Sequence, residues 1–207
     1  MAAVSEVLER SEVNMVLILC GKSGVGKDAI LKQMVERGYT PIISTTTRPI
    51  RDGETDGVEY NFITRGEFEE LMNNDGLVEY RKYDTLVGGV PDVWWYGIVK
   101  QELSKRDKYV VILDVDGAKA FINYYGKENC YVEYITAPDA IRTERAKQRG
   151  SFDEYEWERR VKADNFDFRD EVVSEISDVT IDNSGNLEDC VDEVEDYFFI
   201  HRFDSCL

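Results

Sequence analysis

The stretch LILCGKSGVGKDAI, from Leu17 to Ile30, decides how the rest of the chain is read. A continuous apolar run from Met15 to Cys20 gives way to glycines. Ile30, Leu31, Met34 and Val35 then follow at helical spacing, with Gly38 placed to close the helix. That order is strand, loop, helix. Gly21, Gly26 and Lys27 hold the spacing G-x-x-x-x-G-K, which turns a row of backbone N–H groups and a helix N-terminus toward a phosphate chain. The residues expected to meet a nucleotide's phosphates are Gly21, Lys22, Ser23, Gly24, Val25, Gly26, Lys27 and Asp28, with Lys27 on the β and γ phosphates. Asp28 stands where a serine or threonine hydroxyl normally meets Mg²⁺. Its charge is repelled by a polyphosphate unless a cation lies between them. Asp28 is therefore either a carboxylate for Mg²⁺ or a helix N-terminal residue facing solvent.

Working outward, "VVILD" is a second apolar strand, and it ends in Asp114, the form of an acidic residue that holds Mg²⁺ or its waters opposite such a loop. Tyr109 to Leu113, Tyr131 to Ile135 and Val179 to Ile181 are strand candidates with helices between and after them. The alternation predicts an α/β fold, a mostly parallel sheet flanked by helices. From Val58 to Tyr96 it breaks, with extended candidates at "VEYNF", "LVEYRKY" and "DVWWY", which predicts a small antiparallel insert.

The chain has 207 residues, 43% of them hydrophobic, enough for one sizeable core and a small appended subdomain. A formal net charge of −17 repels nucleic acid and anionic membrane, so an anionic ligand must be held by a few concentrated cations. Small phosphorylated partners fit; nucleic acid and membrane do not. Cys20, Cys130, Cys190 and Cys206 form no C-x-x-C pair and read as reduced intracellular thiols. With no apolar signal core or spanning run, the expected location is cytoplasmic. A single histidine, His201, leaves no Ser-His triad and no multi-histidine metal site.

The segment from Ile43 to Phe62, ISTTTRPIRDGETDGVEYNF, carries a family resemblance. Ser44, Thr45, Thr46, Thr47 and Arg48, followed by Arg51, Gly53, Glu54, Gly57 and Tyr60, resemble the monophosphate-binding segment of guanylate kinases. The resemblance runs from Met15 to about Asn183. It implies that Arg48, Arg51 and Tyr60 hold the acceptor's phosphate and Ser44 lies near its base. Independently of the family, two guanidinium forks three residues apart can grip one dianion. Glu79, Tyr96 and Asp116 match further acceptor positions, Glu79 and Asp116 as acceptors for the guanine N1–H and 2-amino group. Without the family, Glu79 reads as a strand-edge charge and Asp116 as a helix N-cap before Gly117. From Asp139 to Asp167 the chain resembles the family's lid, with Arg145, Arg149 and Arg160 closing on the transferred group. Arg142, Arg145 and Arg149 share one helix face by spacing alone. Asn183 matches a contact to the donor adenine, and reads equally as a turn residue before Gly185.

The chain departs from the family in an insertion, KYDTLVGGVPDVWWYG, which places Trp95 where a tyrosine hydroxyl would help hold the acceptor phosphate. The organisation expected is an extension, 1–14, and one domain, 15–207. That domain divides into a core (15–43, 97–138, 168–207), a monophosphate insert (44–96) and a lid (139–167), the lid opening to exchange nucleotides. The activity implied is Mg²⁺-dependent transfer of the ATP γ-phosphoryl group to GMP or dGMP. A catalytically silent peptide-binding relative, or a P-loop kinase for another small phosphate ester, is the alternative.

Overall fold

A computed structural model describes residues 16–51, 53–87, 90–104, 107–148 and 152–204. The N-terminal extension and Arg149 lie outside them, and so does the side chain of His201. In chain order the elements are β1 (Val16–Cys20), α1 (Lys27–Glu36), β2 (Thr40–Pro41), β3 (Thr45–Thr46), β4 (Asn61–Phe62), α2 (Arg65–Asn73), β5 (Leu77–Val87), β6 (Val90–Val99), β7 (Tyr109–Leu113), α3 (Val115–Tyr125), β8 (Cys130–Thr136), α4 (Asp139–Gln148), α5 (Glu154–Asp167), α6 (Asp170–Ile176), β9 (Val179–Asp182) and α7 (Leu187–Asp204). They fall into two compact units, 1–41 with 104–207, and 42–103.

In the first unit, five strands run in the order β2-β7-β1-β8-β9, every pairing parallel. Central β1 is fully buried along its length, which is why its sequence shows no alternation. One face of the sheet packs Leu17, Leu19, Tyr131 and Ile135 against Ile30 and Met34 of α1 and Val191, Val194 and Phe198 of α7. α3 covers the other face and packs on α6. α1 ends in a Schellman motif: Gly38, at φ +90°, bonds Val35 O and Tyr39 N–H reaches Met34 O, as the position of Gly38 predicts. Cys20, Cys130 and Cys190 are free and buried, and burial pushes the Cys20 thiol up to about 12.

One residue violates this core. Glu133 lies between Tyr131 and Ile135 on the β8 face that meets α7, is fully buried, and neither carboxylate oxygen has a hydrogen-bond partner among the described residues. Burial, with Glu193 and Asp178 nearby, holds its pKa well above the carboxylate range. An acid with a raised folded-state pKa contributes fully to stability at low pH, and that contribution is lost as pH rises through the folded value. Glu133→Leu is therefore expected to raise the melting temperature at neutral pH. A relieved unsatisfied group gives roughly 1 to 3 kcal/mol, at roughly 2 to 4 °C per kcal/mol for this size. Melting curves from pH 5 to 8 check it. A gain that shrinks with rising pH would contradict it.

The second unit holds a sheet of order β4-β3-β6-β5, antiparallel except for the two-residue parallel pairing of β3 with β4. The insertion proves to be a long hairpin, in which β5 and β6 pair from Leu77–Val99 to Val87–Val90. Of the expected extended run "VEYNF", only Asn61 and Phe62 form strand. Val58 is 59% exposed and its N–H closes a turn onto Thr55 O, because glycines at 53 and 57 with positive φ bend the chain there. Trp95 also corrects the expectation. It lies on the face toward α2, edge-on to Phe68 in a small core with Leu77, while its neighbour Tyr96 points to the opposite face. α2 begins with a capping box, Thr64 and Glu67 exchanging bonds with each other's backbone N–H.

Candidate active site

The parallel sheet reverses its outward direction at β1, with β7 and β2 on one side and β8 and β9 on the other. The crevice beyond the carboxyl ends of such strands is where α/β sheets take ligands. The loop of residues 21–26 opens there. Gly26 is the N-cap of α1 at φ +103°, a left-handed conformation, and a Cβ on it would come within 2.5 Å of Asn183 Nδ2. A larger residue would be strained at that φ and would have to displace the Asn183 amide. Lys27 Nζ folds back to donate to Gly21 O at 2.5 Å and Lys22 O at 3.1 Å, which centres its charge over the loop. Burial lowers the Lys27 pKa, and the neighbouring Asp28 carboxylate opposes that.

Residues from much later in the chain reach this loop. Asn183, only 1% exposed, donates from Nδ2 to Val25 O at 2.8 Å, and Arg145 Nη1 reaches the same carbonyl at 3.1 Å. Arg142 is buried and bonds Ser23 O at 2.8 Å. The shared basic face read from spacing is thus split: Arg142 turns inward, while Arg145 lies along the loop. Arg160 is not brought to the loop; its Nε donates to Glu156 on its own helix at 2.9 Å. Glu156 also accepts a fork from Arg159, and these bonds hold its carboxyl down at about 2.

Asp114 lies at the end of β7, next to β1, and is the N-cap of α3, Oδ1 accepting Gly117 N–H at 2.7 Å. The cap expected of Asp116 is therefore made by Asp114, and Asp116 is an exposed first-turn residue. Asp28 is exposed in the first turn of α1. Among the described residues no group of three potential ligand side chains gathers. Mg²⁺ does not need one, since one or two carboxylates with phosphate oxygens and waters complete its octahedron. The hard carboxylate oxygens of Asp28, in the first turn after the glycine loop, and of Asp114, at the end of β7, are of the kind that ion takes.

In the second unit Arg48 is 3% exposed and forks onto Glu54, Nη1 to Oε2 at 2.9 Å and Nη2 to Oε1 at 2.7 Å. Its guanidinium lies 5.4 Å from the ring centres of both Tyr60 and Phe62. Glu54 also accepts the Arg51 N–H at 2.8 Å, and the Arg48 hydrogen bond holds its carboxyl below the usual range. Tyr60 and Tyr83 each meet Tyr96 edge-on, at 5.6 and 5.4 Å. Glu79 and Ser44 are half-buried in the same unit. Arg48, Tyr60 and Tyr96 are thus brought together, and exposed Arg51 joins them through its backbone N–H on Glu54. Phe62 and Tyr83 were not expected, and Glu54, part of the resembling segment, was given no role there, though its spacing three residues after Arg51 could have signalled one.

The family profile described as Guanylate kinase matches residues 13–201. The chain belongs to the guanylate kinase family. Membership places it, as an enzyme class, among the ATP-dependent guanylate kinases. It is 32% identical over 159 residues to a guanylate kinase of Latilactobacillus sakei subsp. sakei (strain 23K), covering 73% of this chain and 74% of the relative. A guanylate kinase of Gloeobacter violaceus (strain ATCC 29082 / PCC 7421) is 35% identical over 142 residues, 67% of this chain and 66% of that protein. In fold, the chain resembles the crystal structure of guanylate kinase from Anaplasma phagocytophilum, with a TM-score of 0.67 at 23% identity over 94% of this chain and 89% of the other.

Proposed function

We propose that this chain transfers the γ-phosphoryl group of ATP to GMP or dGMP, with Mg²⁺ on the donor phosphates. The observation that carries the reading is the Arg48–Glu54–Arg51 cluster framed by Tyr60 and Tyr96, in a chain that also keeps Lys27 centred on its phosphate loop. A module that only bound peptides would need neither. Phosphoryl transfer requires positioning and charge neutralisation rather than a covalent nucleophile. Lys27, Arg145 and the loop hold the donor, with Arg149 and Arg160 on the lid, and Asn183 sits by the adenine. Arg48, Arg51 and Tyr60 hold the acceptor phosphate with Tyr96, and Glu79, Ser44 and Asp116 address the base.

Asp28 and Asp114 would hold Mg²⁺ directly or through water. Bound there, the ion would offset negative charge on the phosphates. No described helix is long and apolar enough to cross a membrane, and the buried free cysteines favour the cytoplasm as the site of action.

The test is ADP release with each common ribo- and deoxynucleoside monophosphate as acceptor. GMP and dGMP are expected to exceed AMP strongly, because a site that pairs with the guanine edge leaves its own polar groups unmatched by adenine. Glu79→Gln should narrow that preference about tenfold, the value of one hydrogen bond to a charged group. AMP used as well as GMP by the parent enzyme would sink the assignment.

A further inference from the structure

Ser23, inside the phosphate loop, is gripped by an ion pair from the two lid helices. Arg142 of α4 donates from Nε to Ser23 O at 2.8 Å, from Nη2 to Asp164 Oδ2 at 2.7 Å and from Nη1 to Asp139 Oδ1 at 2.7 Å. Asp164 of α5 accepts the Ser23 N–H at 2.8 Å and the Ser23 hydroxyl at 3.2 Å. The donor, the acceptor and the hydroxyl of one loop residue are all bonded to this pair. Arg142 and Asp164 are only 1% and 9% exposed. Buried ion pairs are poor stabilisers, since a well-packed apolar pair usually does as well. Stability alone therefore does not account for this one.

Peptide geometry supplies the reason. The carbonyl of Ser23 and the N–H of Gly24 belong to one planar trans peptide, so they point in opposite directions. Arg142 draws the carbonyl toward the lid helices, and the Gly24 N–H is thereby turned away from them. Asp164 fixes the preceding peptide by the other end: it holds the Ser23 N–H, which turns the Lys22 carbonyl away, where Lys27 Nζ meets it at 3.1 Å. Gly24 itself, at φ +80°, lies close against the lid helices: a Cβ there would meet Arg142 O at 2.8 Å and Trp157 Cη2 at 3.1 Å, so a side chain would push loop and helices apart.

We propose that Arg142 and Asp164 are positioning residues that hold the loop's amides in the orientation that receives the donor's phosphates. The proposal rests on the reading of the loop as the ATP site. It goes beyond that reading in making two lid residues outside the G-x-x-x-x-G-K spacing determinants of donor affinity.

The experiment measures dissociation constants for ATP and GMP separately by calorimetry, with melting temperatures, in the parent, in Arg142→Leu/Asp164→Leu and in Asp164→Asn. The double variant replaces the pair with apolar side chains and is expected to melt within a few degrees of the parent. Its ATP dissociation constant should rise about tenfold or more while that for GMP moves less than twofold, a split that a general loss of structure does not produce. Asp164→Asn keeps the shape and loses the charge facing Arg142, and should weaken ATP about threefold, which keeps the question open to test if the double variant does not fold. A folded variant of either kind that binds ATP as the parent does overturns the proposal alone. A parent that binds no ATP overturns the functional reading and the proposal together.

Discussion

Lys27→Ala is expected to lower kcat by about 10³-fold, the upper range for removing one preorganised donor from a site where charge develops. The ammonium is anchored at 2.5 Å to Gly21 O and 3.1 Å to Lys22 O, so the loop's own carbonyls hold it ready before any ligand arrives. A group fixed in this way needs no reorganisation when negative charge grows on the transferred phosphoryl. Burial lowers its pKa, so its charge is poorly solvated, and a phosphate oxygen offers it a stronger partner than a carbonyl does. ATP affinity should fall as well, but by less than kcat if the contact tightens in the transition state. Steady-state kinetics with saturating GMP check this, with a melting curve to establish that the variant is folded. A folded Lys27→Ala enzyme within tenfold of the parent kcat would place the decisive charge elsewhere.

What the sequence made legible is what it encodes locally. The glycine–lysine spacing, the unbroken apolar runs of β1 and β7 and the Schellman glycine each lie within one segment, and each was readable without knowing its neighbours. The fasteners of the loop were not. Asp164 lies 141 residues from Ser23 and Asn183 lies 158 from Val25, and in sequence each looks like an ordinary polar residue. Charge spacing on α4 gave the correct helix face for Arg145 but could not tell that Arg142, one turn earlier, is buried against α5. At Asp114 and Asp116 two acids a residue apart competed for one N-cap, and only the backbone geometry, Asp114 extended at ψ −179°, separates them. Trp95 was misplaced for a related reason: the pleat sends adjacent residues to opposite faces, so a one-residue difference decides between the small core and the tyrosine face. The capping box at Thr64 and Glu67 was legible and would have located α2.

Arg48→Ala is expected to lower kcat/KM for GMP by about 10²-fold or more, with loss in kcat as well as in KM, because a misplaced acceptor phosphate forfeits in-line geometry. The side chain is 3% exposed, forked to Glu54 and flanked by two aromatic rings, so its position is set before the acceptor binds. Two losses are combined in this variant, the grip on the dianion and the pairing of Glu54, and pH separates them. Hydrogen bonding to Arg48 holds the Glu54 carboxyl below its ordinary range. Such a group contributes stability above its unfolded pKa and loses it as pH falls through the lowered folded value. The parent should therefore lose stability on acidification in part through Glu54, and Arg48→Ala should show less of that loss. Glu54→Gln keeps acceptor and donor atoms at the site while removing the charge, so it should share the altered acid profile yet retain far more activity. Arg48→Lys should not restore the parent rate, since a compact ammonium cannot make the paired bonds of the guanidinium fork to Glu54 and hold the phosphate in one geometry. If Arg48→Ala kept the parent kcat and KM for GMP while its acid stability changed as expected, Arg48 would be a structural partner of Glu54, and the acceptor phosphate would be held by Arg51 and the tyrosines.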